Sequence, residues 1–196
     1  MHPTRSLLAL VATATLFSAC SQAPVKAPDN RPDSDQISAM LQSTFNDQVL
    51  PTLREHAKDT GGQLAVTVLD IENKAITKLG TEVDYFQRKA DTELDNATNA
   101  EGQRLFRNVD RSFVTTILQE AGIGTDYNKL YVPNNRRRFN EMMESRSNHV
   151  DYIVFPELVE ISNGGRGVGR KFALSLRVVN TRTGELVKTG FGEVEA

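Results

Sequence analysis

The chain has 196 residues, with 23 lysines and arginines against 25 aspartates and glutamates, a formal net charge of −2 at pH 7. That balance supplies no basic field for nucleic acid. With no tryptophan and 7% aromatic residues, there is little material for a groove that stacks bases or sugars. The length fits one domain, and a single cysteine excludes an intramolecular disulfide framework.

The N-terminus reads MHPTRSLLALVATATLFSACSQAP. Arg5 supplies a positive start, and Leu7 to Phe17 form an apolar or small-residue run. The run is shorter than the roughly 20 apolar residues a spanning helix needs, so it reads as the hydrophobic region of a signal peptide. Small residues Ser18 and Ala19 then precede Cys20. A plain secretory signal needs small residues at the cut but no cysteine after it. The bacterial lipobox needs that thiol, because the sulfur is alkylated with diacylglycerol before cleavage. Residues 1–19 are therefore expected to be a lipoprotein signal peptide and Cys20 the lipidation site, anchoring the protein without spanning the membrane. Ser21 follows where aspartate would favour inner-membrane retention, so the expected location is the outer membrane, periplasmic side.

Residues 20–33 hold three prolines and few apolar side chains, and read as a lipidated tether. Thirteen residues reach at most about 45 Å. A helix follows, with Ser34 or Asp35 as its cap and Ile37, Met40, Leu41, Phe45, Val49 and Leu53 at three- and four-residue steps. Pro51 lies inside this run and should kink it or start a new turn. Leu64 to Ile71, apolar on both faces, has the pattern of a central strand. Residues 72–108 are expected to give a short strand or loop and then a partly helical surface excursion.

Asp110 is the expected cap of a helix whose buried face holds Phe113, Val114, Ile117, Leu118 and Ala121, with Gly122 as its stop. Leu130 to Val132 reads as a brief strand, and Asn134 or Asn135 as the cap of a third helix burying Phe139, Met142 and Met143. Asp151 to Ser162 is an apolar strand in which Pro156 marks an edge position or a bulge. The glycines at 164, 165, 167 and 169 form a hairpin loop rather than a phosphate cradle, because an alternating strand follows them and not a helix. Phe172, Leu174, Leu176 and Val178 alternate along that strand, and Thr181 to Gly184 turn the chain into the last one. The fold class is α/β, an α+β sandwich: a mixed sheet with helices packed on it and a C-terminal antiparallel three-strand meander. Residues 34–196 form a single periplasmic domain with an N-terminal helix.

The chemistry-bearing residues are sparse. His56 and His149 have no metal-ligand spacing, and no serine stands in a nucleophile elbow or before a lysine at S-x-x-K spacing. No catalytic residue, metal or cofactor is expected. Asp70 and Glu72 flank the end of the first strand; a pocket joining them to His149 would mark a hydrolase. Arg136, Arg137 and Arg138 open a helix, where cations oppose the dipole, and so mark a candidate contact with an anionic partner.

The stretch from Val150 to Gly190 resembles the final meander of the CsgG/LpoB-like lipoprotein superfamily. The resemblance rests on Leu176, Val178, Val179, Asn180, Thr183, Gly184, Glu185 and Leu186, and on LAVTVLDIENK as a first strand. It implies an outer-membrane lipoprotein that acts by binding an envelope protein. In the LpoB-type branch that partner is a class A penicillin-binding protein in peptidoglycan synthesis. The alternative it implies is an assembly or accessory component of a CsgG-like secretion or surface-appendage system. A CsgG-type pore needs lipid-facing hairpins, and none is evident between residues 34 and 196.

Overall fold

The computed structural model describes residues 32–75, 79–161 and 170–195. The signal peptide, Cys20, most of the tether and the glycine run 164–169 lie outside the described residues.

The first helical run begins at Asp33, not at Ser34 or Asp35. The Asp33 carboxylate accepts from the backbone of Asp35 and Gln36, and the Gln36 side chain closes a capping box on the Asp33 amide. Helix α1 spans Ser34–Leu41, a π-helical segment covers Gln42–Val49, and α2 spans Leu50–Thr60. Pro51 sits in the first turn of α2, directly after the π segment; its ring would crowd a carbonyl in the preceding turn, and the wider π spacing relieves that. The Met40 carbonyl also accepts from the hydroxyls of Ser43 and Thr44 at 3.1 and 2.5 Å. Gly61, with φ of 64°, ends the run.

Strand β1 (Leu64–Val68) pairs in parallel with β3 (Phe106–Asn108) on one side and with β4 (Tyr152–Ile161) on the other. The two-residue β2 (Glu72–Asn73) pairs with β4 farther along. Between them the registers Val68 with Val154 and Glu72 with Glu157 leave one extra residue on the β1–β2 side, opposite Pro156. In an unbroken parallel ladder Pro156 would donate to the carbonyl of Leu69, and it has no N–H to do so. The bulge foreseen at Pro156 is present, but β4 is a central strand and not an edge, because β5 (Lys171–Asn180) pairs with it from Tyr152 to Ile161. Strand β6 (Leu186–Glu195) completes the order β3-β1-β4-β5-β6.

Helices cover both faces of the sheet. On one face α1, the π segment and α2 meet α3 (Thr81–Asn96) over Val66, Val154, Phe172, Leu174 and Val178. On the other, α4 (Arg111–Glu120) and α5 (Pro133–Ser145) pack Val114, Ile117, Leu118, Phe139 and Met143 on Ala65, Ile153, Phe155 and Val179. Phe45, Phe86, Phe106, Phe139 and Phe172 are fully buried, each worth about 1.5–3 kcal/mol of transfer free energy.

Three expectations are corrected. Residues 81–96 are not a surface excursion but a core helix, since Phe86, Ala90 and Leu94 recur every four residues on its buried face. Leu130 to Val132 is not a strand: Tyr127–Tyr131 is a 3-10 turn opened by the Asp126 side chain, which buries Leu130 and exposes its two successors. Neither Asn134 nor Asn135 caps α5, which starts at Pro133 with Val132 as the cap residue; the Asn135 amide donates instead to the Lys129 carbonyl. Asp110 caps α4 as expected, accepting from the Phe113 amide at 2.8 Å.

Candidate functional site

A concavity opens where β1, β2 and β4 part around Pro156. It is a cleft of about 470 Å³ walled by Leu69 to Glu72, Lys74, Thr115, Leu118, residues 124–128, Phe155 to Glu157, and Arg177. Its volume falls in the range of ligand sites. The bulge creates it, because the chain leaves the β4 ladder after Leu69 and returns at Glu72. The Leu69 carbonyl that Pro156 cannot satisfy is met instead by the Gln87 amide of α3 at 3.4 Å, which also donates to Asp70 at 3.0 Å. The backbone groups of Asp70 and Ile71 make no hydrogen bond among the described residues.

A chain of charges and rings crosses the cleft. Glu157 of β4 receives Lys74 Nζ at 2.9 Å on one carboxylate oxygen and Arg177 Nη1 of β5 at 2.5 Å on the other. Lys74 also lies 3.6 Å from Glu72. The Arg177 guanidinium stands 5.1 Å from the centre of the Tyr127 ring, and that ring is 6.0 Å from the ring of Phe155. The Arg177 bond, and then the Lys74 bond, hold the Glu157 carboxyl below the usual carboxylate range; the Glu157 bond in turn raises Lys74. A carboxylate so depressed stays ionised at neutral pH and is a weak proton acceptor. The arrangement is built to hold charge in place.

The sign of its pH dependence follows. Because the folded-state pKa of Glu157 lies below its unfolded value near 4.5, its pairing stabilises the domain above that pH and is lost as pH falls through the folded value. Glu157→Gln is expected to cost about 1–2 kcal/mol at pH 7. In denaturant titrations the difference from the parent should shrink as the pH falls below about 4.5 and through the lower folded-state value.

The sequence-derived candidates divide. Asp70 and Glu72 line the cleft, but His149 does not. Strands β1 and β4 run parallel, so Asp70, beyond the end of β1, and His149, before the start of β4, lie at opposite ends of the sheet. His149 faces Arg107, whose Nη2 donates to its carbonyl at 2.8 Å, and Asp151 at 3.9 Å. The hydrolase arrangement is therefore not assembled. His56 packs 5.3 Å from the ring of Tyr152.

The arginine triplet also separates. Arg136 donates to the Leu130 carbonyl at 3.0 Å and sits beneath the β5–β6 turn. Arg137 lies 3.8 Å from Glu141 on the surface, and Arg138 is exposed with no ion pair among the described residues. In that turn Asn180 Oδ1 accepts from Arg182 and Thr183, and Gly184 takes φ of 79°. The familiar Asn-x-x-Thr-Gly-Glu pattern thus builds a turn rather than a site. Lys74, Tyr127, Glu157 and Arg177 carry little signal in the sequence; Glu157 and Arg177 show only as charged residues interrupting apolar strands.

No protein-family model and no curated protein matches the chain. Among solved structures it is similar to the LpoB C-terminal domain from Salmonella enterica, at 14% identity and a TM-score of 0.45, covering 77% of this chain and 98% of that one. The NMR structure of E. coli LpoB matches at 13% identity and a TM-score of 0.41, covering 100% and 86%. Lipoprotein GNA1162 from Neisseria meningitidis matches at 13% identity and a TM-score of 0.39, covering 67% and 80%.

Proposed function

We propose that this protein is a non-enzymatic lipoprotein, held in the outer membrane by acyl chains on Cys20, whose periplasmic domain works by binding another envelope protein. The observation that carries this reading is a lipobox cysteine followed, thirteen residues on, by the Asp33 capping box that opens the folded domain. Such a leash holds the domain within about 45 Å of its anchor, so its partner must present a surface inside that radius. The cleft supports recognition over catalysis, since Glu157, its one carboxylate held below the usual range, is bound by Lys74 and Arg177.

The finer form of the proposal, drawn from the meander resemblance, is that the partner is a class A penicillin-binding protein and that docking stimulates it. Arg137 and Arg138 are retained within the proposal as peripheral contacts; Arg136, committed to the Leu130 carbonyl, serves the fold. The test mixes the purified mature lipoprotein with a class A penicillin-binding protein of the same organism. Co-purification and faster glycan polymerisation are expected. Neither binding nor stimulation would remove the activator role.

A further inference from the structure

We infer that the cleft beside Pro156 holds an extended, lysine- or arginine-bearing segment of the partner polypeptide; this rests on the protein-binding reading above. Three independent features converge on that chemistry. First, the lining carries four carboxylates, Asp70, Glu72, Asp126 and Glu157, against two cations, Lys74 and Arg177. Those cations are already consumed by Glu157 and Glu72, and Asp70 lies 3.8 Å from Arg111 just outside the lining, while Asp126 has no cationic partner among the described residues. An incoming cation meets an unmatched negative charge there, and an incoming anion meets none that is free.

Second, the floor is apolar, with Leu69, Leu118 and Phe155 beneath the Tyr127 ring. A lysine or arginine lays its methylene stem on such a surface and keeps its charged head at the rim. Third, the bulge leaves the backbone of Asp70 and Ile71 without hydrogen-bond partners among the described residues. These are the donors and acceptors that an extended peptide satisfies when it lies along a strand end. A free ammonium or a metal ion could use the carboxylates and carbonyls, but neither accepts from the Asp70 and Ile71 N–H groups, as a peptide carbonyl does.

The test uses the mature lipoprotein in neutral detergent and, as probes, a labelled hexapeptide alternating lysine and valine and its glutamate–valine counterpart. Fluorescence anisotropy is expected to show the lysine peptide binding at least tenfold tighter, with a several-fold loss between 50 and 500 mM salt. Asp70→Asn with Asp126→Asn should weaken it at least fivefold; asparagine keeps the cap at 126, and an unchanged melting temperature verifies folding. Should that pair unfold, Glu72→Gln, at an exposed position on β2, is expected to weaken binding two- to threefold. Equal binding of the two peptides, or variants that bind as the parent does, overturns the assignment. An envelope partner that binds parent and variants alike defeats the cleft and leaves the protein-binding reading standing. A parent that binds no envelope protein defeats that reading itself.

Discussion

Replacing Gly190 by valine is expected to destabilise the domain by about 3 kcal/mol or more, and so to lower its melting temperature by roughly 6–12 °C. The reason is a close approach of two backbones. The π-helical segment lies directly on β6, and a Cβ at Gly190 would stand 2.7 Å from the Thr44 carbonyl oxygen and 2.9 Å from a methyl of Val49. At Gly192 the added carbon would overlap the Thr44 hydroxyl and approach the Ser43 hydroxyl at 2.9 Å. The obstruction at 190 includes backbone, so a rotamer change cannot relieve it. The same approach lets the Gln48 amide donate to the Phe191 carbonyl at 2.7 Å and accept from the Phe191 N–H at 3.1 Å. That satisfies part of the open edge of the sheet. Gly190→Ala should cost less, about 2 kcal/mol. Gly62→Ala, with nothing within 4 Å and no positive φ, should leave the thermal transition close to that of the parent.

Cys20→Ala is expected to have the largest effect on the protein's location. Each buried methylene of an acyl chain contributes about 0.8 kcal/mol of membrane affinity, and two chains are enough for stable anchoring. Without the thiol neither chain is attached. Fractionation should then move the protein from the membrane pellet almost entirely to the soluble or uncleaved-precursor pool, while a Cys20-bearing control stays in the pellet. The substitution lies before the Asp33 cap, so the melting temperature of the domain should not change.

The parts of the fold that were legible in the sequence are those where pattern and packing coincide. Phe172, Leu174, Leu176 and Val178 alternate because only one side of β5 faces the larger core, and they appear there as expected. Asp110 announced α4 because its carboxylate accepts from the first-turn groups of that helix, the Ser112 hydroxyl and the Phe113 amide. What misled was weak periodicity: α3 carries only Phe86, Ala90 and Leu94 as its strongly buried apolar face, diluted by charges on the other three sides. Leu130 to Val132 is too short for any period to decide between strand and turn. The cleft was half legible. Asp70 and Glu72 are visible at a strand end, and Pro156 marks an edge position or a bulge. That Lys74 and Arg177 would both meet Glu157 depends on the parallel register of β2 with β4 and the antiparallel register of β4 with β5, which no local pattern encodes. The arginine triplet shows the converse, since three neighbours in sequence point to a carbonyl, a glutamate and solvent.

Everything proposed for the partner depends on a compact domain held at a membrane by its first mature residue. Mass spectrometry of the N-terminal peptide from the membrane fraction tests that most directly. The expected spectrum begins at Cys20, lacks residues 1–19, and carries the added mass of a diacylglyceryl thioether. A peptide from the exported protein with an unmodified Cys20 sulfur would contradict it.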